Sequence, residues 1–218
     1  MKKIVLFLLL SLCSNIVVFA QVPYYGATVG EHRLFGYHSL KFRPGINNQR
    51  TYTTFQYGIS DWLSIGTDMA SGNDERNIGY YGRVGKKFSN WFSAGVQVTP
   101  SFDLENNHKF SYNTTGLFMN GNITHEGKLF WTSNTWHTAY SGAEDSFEQW
   151  WYLAGHFPLT KNSSFWPHVG LVHSWKFDQD ADLAAGFFYV YKQYSLYLWG
   201  NDFFKEHPRV TVAIDFTF

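Results

Sequence analysis

Serines and histidines are the residues of this sequence that could form a nucleophile with its base, and the chain has nine His. His173 precedes Ser174, but adjacent residues of a strand point to opposite faces, so this ring cannot activate this hydroxyl. Ser133 and His137 share a face, but a spacing of four residues separates them by roughly 13 Å along a strand. The sequence has no G-x-S-x-G, no H-E-x-x-H and no glycine-rich phosphate loop. We therefore expect no catalytic residue and no enzymatic activity.

Metal and nucleic-acid binding are weakly supported. His156 and His168 could become neighbours across a strand pair and bind a metal with Glu148, but Glu148 lies eight residues from His156. The single cysteine, Cys13, lies near the N-terminus, so the rest of the chain has no thiolate ligand. Lys and Arg number 17 and Asp and Glu number 17, without a basic cluster. We expect no metal, no cofactor and no nucleic-acid partner.

A larger set of charged, polar and aromatic residues alternates with apolar ones along the chain. A face of this kind could line a path for a polar solute. Facing lipid near the middle of a bilayer, Lys or Arg would cost about 2–4 kcal/mol, so the set is expected to face inward. The candidates for this lining are Lys41, Gln56, Asp68, Arg83, Gln97, Trp136, Glu148, Trp150, Tyr152, His156, His168, Arg209 and Asp215.

The composition indicates which elements could position such a face. Charged residues make up 16% of the 218 residues, below the roughly 25% of soluble domains, and aromatic residues make up 20%. From Glu31 onward, segments of about ten residues with alternating character are separated by polar or Gly-rich breaks. This pattern predicts an all-β, antiparallel, up-and-down transmembrane β-barrel, in which lipid-facing and lumen-facing residues alternate.

We predict twelve strands, an even number as in bacterial single-chain barrels, with ten as the alternative. The N-terminus is placed on the periplasmic side, and the connections predicted there are 60–61, 87–90, 121–127, 158–163 and 192–193. The connections predicted at the outer side are 44–48, 71–77, 102–107, 140–146, 178–182 and 201–207. The predicted strands are 33–43, 49–59, 62–70, 77–87, 91–101, 108–120, 128–139, 147–157, 164–177, 183–191, 194–203 and 208–218.

The first twenty residues have the pattern of a removable signal peptide. Lys2 and Lys3 form a basic start, the apolar stretch 4–12 follows, and Val18-Phe19-Ala20 offers a cleavage site. The apolar stretch is shorter than the roughly 20 residues that a membrane-spanning helix needs. A lipoprotein site at Cys13 is the alternative, but Leu12 is bulky for the position before a lipidated cysteine. We predict that residues 1–20 are removed and that residues 21–218 form one barrel domain.

The end of the chain alternates without exception on its apolar face. The apolar residues Val210, Val212, Ile214, Phe216 and Phe218 are separated by small or polar ones, and the last residue is aromatic. This strand resembles the C-terminal signature of Gram-negative outer-membrane proteins. The resemblance implies that the barrel-assembly machinery recognises these residues during insertion and that the barrel lies in the bacterial outer membrane, in contact with its lipids.

The segment 55–66 reads as two strands joined through Ser60-Asp61, with Gly58 and Gly66 near its ends. It resembles the strand–turn–strand unit of small porin-like outer-membrane proteins, including a transporter group associated with aromatic degradation. The resemblance implies a barrel and favours a role in transport, although a fold does not fix a function.

The leading functional hypothesis is a porin-like or small-solute transport-related outer-membrane protein without enzymatic activity. The alternatives are a non-conducting structural or accessory subunit of a larger outer-membrane complex, which would bind other outer-membrane proteins, and a lipid-modifying barrel enzyme. Twelve strands lie between the filled eight-stranded and the open sixteen-stranded barrel. The inner charges could therefore line a solute path, or Arg83, Arg209, Glu148, Asp68 and Asp215 could neutralise one another as interior ion pairs.

Overall fold

A computed structural model of the chain describes residues 28–72, 75–174 and 180–218. The predicted signal peptide and the first residue after it, Gln21, lie outside these residues. The described part is all-β, and no helix in it is long and apolar enough to span a bilayer. Its strands are β1 (Leu34–Phe42), β2 (Gln49–Gly58), β3 (Leu63–Gly72), β4 (Glu75–Lys87), β5 (Ser93–Asp103), β6 (Lys109–Asn122), β7 (Leu129–Tyr140), β8 (Ser146–Gly155), β9 (Phe157–Thr160), β10 (Ser163–Ser174), β11 (Asp182–Tyr191), β12 (Tyr194–Asn201) and β13 (Arg209–Thr217).

The strands form a closed barrel with a wall of twelve. Each pairs antiparallel with its neighbours in the chain, and β8 and β9 both pair with β10, forming one wall strand that is interrupted at His156. The first and last strands, β1 and β13, close the ring through eight register partners, from Phe35 with Thr217 to Phe42 with Val210. The predicted twelve-stranded, up-and-down antiparallel barrel is confirmed.

Two of the predicted connections are wrong, since both are shorter in the structure. Residues 158–163 were expected to form a turn, but β9 covers Pro158 and leaves only residues 161–162 between strands. A proline has no N–H for the ladder, and it is tolerated here beside the register shift between Ser163 and Ser164. Residues 71–77 were expected to form an outer loop, but β3 and β4 pair as far as Gly72 and Glu75. The polar residues near this connection suggested a loop, but in the structure they extend β3 and β4.

The barrel has two ends with different connections. At the end where β1 starts, called the turn end here, the connections are residues 59–62, 88–92, 123–128, 161–162 and 192–193. The opposite end, called the loop end, carries residues 43–48, 104–108, 141–145 and 202–208 and the connections from Gly72 to Glu75 and from Ser174 to Asp182.

The outside of the barrel is apolar. Trp62 and Trp91 stand at the turn end and are 55% and 66% exposed. A band of aliphatic side chains that are each 38–50% exposed surrounds the wall: Ile65, Val96, Val98, Leu117, Val169, Leu171, Leu196, Leu198 and Ile214. Charged and amide side chains such as Asp68, Arg83 and Gln97 are buried inside. An apolar exterior around a polar interior is the arrangement of a membrane-spanning barrel.

The interior has two chemically different halves. Aromatic and aliphatic side chains form one connected cluster on β7, β8 and β10–β13, which includes Tyr152, Trp166, Phe188 and Tyr197. The inward side chains of β2–β5 are mainly Thr, Ser, Asn, Gln, Asp and Arg. In this polar half the ring of Tyr81 lies flat against the wall at Gly66, where an added Cβ would meet its Cζ at 2.4 Å and the carbonyl oxygen of Phe55 at the same distance.

This close approach gives a stability prediction. We expect Gly66→Ala to lower the free energy of unfolding by about 1–3 kcal/mol, because the methyl group must displace a buried ring or the backbone. Gly82→Ala is the matched control, since a Cβ there has no neighbour within 4 Å. Urea unfolding of the folded barrel in detergent micelles measures both. Equal stability of the two variants would contradict the packing described for Tyr81.

Candidate functional site

A large cavity extends into the barrel from the loop end and reaches Phe35, near the turn end, along β1. Its volume is about 800 Å³, and side chains from all twelve wall strands line it. Residues at the loop end, such as Arg50 and Glu75, stand at its mouth and are exposed, whereas Gln56, Gln97 and Phe35 at its other end are buried. The cavity is therefore a vestibule that opens at the loop end and narrows towards the turn end.

Most of the residues that the sequence suggested for the lining meet in this cavity. Two do not line it: His156 stacks on Trp166 with ring centroids 4.1 Å apart, and Asp215 is buried near the turn end beside its register partners Tyr37 and Ser195. The remaining eleven line the cavity: Lys41, Gln56, Asp68, Arg83, Gln97, Trp136, Glu148, Trp150, Tyr152, His168 and Arg209. The alternation in the sequence predicted that these side chains face the lumen. It could not predict how far along the barrel axis each one lies, because that depends on the barrel's shape.

The cavity lining carries more basic than acidic side chains. Five basic residues and three acidic ones line it, a formal surplus of two positive charges. Field lines concentrate in a cleft with low-dielectric walls, so even a small surplus favours anions there. The basic residues are Lys41, Arg43, Arg50, Arg83 and Arg209, and the acidic ones are Asp68, Glu75 and Glu148.

The contacts of these charges match the interior ion pairs suggested by the sequence only in part. Arg50 pairs with Glu75 at 2.6 Å, a pair between β2 and β4 that the sequence did not suggest. Arg83 lies near enough to Asp68 for an electrostatic interaction. Glu148 accepts a hydrogen bond from the indole Nε1 of Trp150 on the same strand. The interior charges are thus held by aromatic and amide groups as well as by opposite charges.

Arg83, Gln97 and Phe118 form the floor of the polar half. The Nε and Nη2 atoms of Arg83 donate to the Gln97 Oε1 at 3.0 and 2.7 Å, and the guanidinium carbon lies 4.0 Å from the centroid of Phe118. Phe118 is fully buried and meets the ring of Trp136 edge-on at 4.8 Å. A guanidinium held by two hydrogen bonds and an aromatic face is fixed in place, and it narrows the lumen on this side of the barrel.

The chain segment before β1 adds to the obstruction at the turn end. Val29 is 1% exposed, and its N–H donates to the hydroxyl of Ser64, an inward-facing residue of β3. Thr28 donates to the carbonyl oxygen of Asp61 at 2.6 Å. The carbonyl of Gly30 fits only because Gly58 has no side chain, since a Cβ there would lie 1.7 Å from it. The sequence analysis did not predict that this segment enters the lumen. The one signal for it was Gly58, an inward-facing position that lacks a side chain and so leaves room for the segment.

The wall opposite the polar half offers flat aromatic surfaces to the cavity. The rings of Tyr37 and Trp199 meet Tyr197 edge-on, with centroids 5.9 and 6.1 Å apart. The Lys41 ammonium lies 5.5 Å above the ring of Trp150. A solute in the cavity would contact rings on one side and hydroxyl, amide and charged groups on the other, which is the composition of a binding pocket for small polar molecules.

The histidines do not form a metal centre in the described residues. His168 stacks on Phe188 at 4.5 Å and meets Tyr152 edge-on, while His156 stacks on Trp166. No group of three or more metal-ligating side chains occurs in the part of the chain that the structure describes. Ser174 lines the cavity, whereas the adjacent His173 lies on the other face of β10.

The floor gives a second stability prediction. We expect Arg83→Gln to lower the free energy of unfolding by about 2–3 kcal/mol, because it removes charged hydrogen bonds to a buried amide. Arg50→Gln is the matched control, and its half-exposed pair with Glu75 should contribute only about 0.2–1 kcal/mol. Tryptophan fluorescence during urea unfolding compares them. If Arg83→Gln lowered the free energy of unfolding as little as Arg50→Gln does, the floor would not be a structural unit.

Comparisons with known proteins identify the fold. No family model matches the chain, and no curated protein matches it. Among solved structures, the KdgM porin is 10% identical with a TM-score of 0.59, and the match covers 84% of this chain and 99% of that one. A second KdgM structure, in complex with disordered oligogalacturonate, is 9% identical with a TM-score of 0.56 over 85% and 99% of the two chains. The NanC porin is 8% identical with a TM-score of 0.56 over 83% and 98%. The chain therefore has the barrel fold of these porins.

Proposed function

We propose that this protein is a porin-like barrel of the bacterial outer membrane that admits a small anionic solute from the loop end. The observation that carries the proposal is the cavity of about 800 Å³ with its surplus of positive charge. Its volume lies within the range of roughly 300–1,000 Å³ that is usual for small-molecule sites. The predicted signal peptide and the alternating last strand, from Val210 to Phe218, support export and assembly into that membrane.

An acidic sugar is the solute class that suits the lining. Sugar rings present C–H groups on their faces, which stack on aromatic side chains such as Trp150 and Trp199, and hydroxyl groups at their edges, which hydrogen-bond to amides such as Gln97. A carboxylate on the ring would meet the basic residues. A porin of the same fold has been described in complex with oligogalacturonate, an acidic sugar chain, and this supports the same class here.

The floor makes passage slow and selective. Arg83, Phe118 and the segment from Thr28 to Gly30 fill the lumen towards the turn end, so a solute that has bound in the vestibule must displace side chains to leave. Such a barrel would pass fewer ions than an open pore of the same strand number, and it would discriminate among the solutes that reach the floor.

A second candidate, the non-conducting accessory barrel, is favoured by the same floor. If the contacts of Arg83 and Phe118 never open, the barrel has a closed lumen and its outer surface carries the function. The two candidates differ in one measurable quantity, which is solute flux across a membrane that contains the purified protein.

Charge selectivity is the first functional prediction. In liposomes we expect the barrel to pass small anions faster than cations of equal size, and Lys41→Glu to lower the ratio of anion to cation flux severalfold, because Lys41 lines the vestibule. Lys86→Glu changes the same charge on the exposed face of β4 and serves as control. A barrel that folds correctly and passes neither ion would support the accessory role.

Widening the floor is the second functional prediction. We expect Phe118→Ala to raise the flux of small sugars, because it removes a fully buried ring beside Arg83. Leu117→Ala truncates the neighbouring residue on the outer face and is the control. The gel mobility of unheated samples verifies that each barrel is folded. Unchanged flux in folded Phe118→Ala would place the obstruction elsewhere.

A further inference from the structure

The connection between β12 and β13, residues 202–208, is tied to the connection between β1 and β2 across the loop end. The guanidinium of Arg43 donates from Nη1 to the carbonyl oxygen of His207, and the His207 ring nitrogen Nδ1 lies 3.2 Å from the carbonyl oxygen of Pro44. These contacts join residues 164 and 163 positions apart, so the loop is held in place by tertiary contacts at the rim of the vestibule.

The carboxylate of Asp202 is the centre of this arrangement. Its Oδ2 lies 2.6 Å from the Arg43 Nη2 and 3.8 Å from the Arg209 Nη2, and its Oδ1 lies 3.8 Å from the Lys205 Nζ. The Asp202 side chain is only 4% exposed, although it belongs to a loop. Asp182, whose side chain is 18% exposed, lies 3.0 Å from the same Lys205 Nζ and also borders this site. Three cations and two carboxylates therefore meet here, and Asp202 is the buried carboxylate that lies against both guanidinium groups.

The backbone at Asp202 indicates that side-chain contacts hold the loop. Its φ of 62° is in the left-handed region, which L residues seldom adopt, although Asp tolerates it better than most. The ion pairs stabilise this conformation. Losing these ion pairs therefore weakens the hold on the loop, which the contacts of His207 share.

Two of these three cations, Arg43 and Arg209, also face the vestibule. Arg43, Arg209 and Glu148 line the large cavity, and all three also line a second cavity of about 120 Å³ that Asp202 and Lys205 border. An anion that enters the vestibule therefore meets the two guanidinium groups that pair with Asp202.

We propose that Arg43, Arg209 and Lys205 form an anion-binding site at the mouth, which Asp202 fills as an internal ligand until the carboxylate of a solute displaces it. The inference deepens the proposed function, on which it rests for the class of solute. Removing Asp202 without replacement would leave the half-buried guanidinium groups of Arg43 and Arg209 without the carboxylate that pairs with them, whereas an incoming carboxylate restores that pairing. Loop release and anion binding are thus coupled, and a neutral sugar cannot drive the exchange.

The test compares binding of glucuronate and glucose, the acidic and neutral forms of one sugar, to the folded barrel in detergent by isothermal titration calorimetry. If the loop is closed in about nine of ten molecules, Asp202→Asn should bind glucuronate about tenfold more tightly than the unchanged protein and glucose equally well. Glu206→Gln removes the same charge from the same loop, at a side chain that is 90% exposed, and should change neither affinity. Adding Arg43→Gln to Asp202→Asn should abolish the gain. An unchanged glucuronate affinity in Asp202→Asn, or an equal gain in Glu206→Gln, would overturn the proposal.

A second pair of variants keeps the test decisive if Asp202→Asn does not fold. In a Pro44→Cys, His207→Cys variant in which mass spectrometry verifies the disulfide, the loop is locked, and oxidation should weaken glucuronate binding at least severalfold, with reduction restoring it. Equal binding in both redox states would overturn the proposal.

Because binding is measured without a membrane, it is independent of flux. A gain in Asp202→Asn with no flux would retain this site and remove transport, and flux without the gain would remove the site alone.

Discussion

The pairing of β13 with β1 is the interaction on which the rest of the structure depends. Inside a bilayer no water is available to unpaired backbone groups, so a sheet can cross it only if its first and last strands pair. The closing ladder runs from Phe35–Thr217 to Phe42–Val210. Once the ring is closed, every strand has one face towards lipid and one towards the lumen. The apolar exterior and the polar interior follow from this single constraint.

Closure also decides what the lumen must contain. A ring of twelve strands encloses more space than an eight-stranded barrel, in which side chains just fill the interior. This chain fills the turn-end part with Trp166 and Phe130 of the aromatic cluster, Phe118 and the segment at Val29, and leaves the loop-end part as the vestibule, which other members of the cluster line. Stability and permeability therefore compete for the same volume. The packed floor raises stability and lowers permeability.

The sequence predicted the wall better than the contents. Alternation alone located all twelve wall strands and the inner face of most lining residues, because a period of two is a direct consequence of strand geometry. It could not give the register between distant strands, and so it missed Arg50 with Glu75 and Arg43 with Asp202. It also treated Pro158 as a turn residue, because tolerance of a proline depends on a register shift that only pairing reveals. The segment at Val29 carries no periodicity, and its position follows from the space left at Gly58.

The loop at Asp202 shows how the same constraint shapes the electrostatics. The lipid-facing wall excludes charge, so Arg209 at the start of β13 points inward, and Arg43, which follows β1, meets it at Asp202. Both guanidinium groups are half-buried there, so each is more stable with a carboxylate partner than without one. In the proposed exchange, a temporary partner therefore occupies these cations while the cavity is empty. A carboxylate on a connection satisfies this requirement better than one on a wall strand, because a strand residue cannot leave without breaking the ladder. Asp202 follows β12 directly, at the first position where the backbone is free of the sheet.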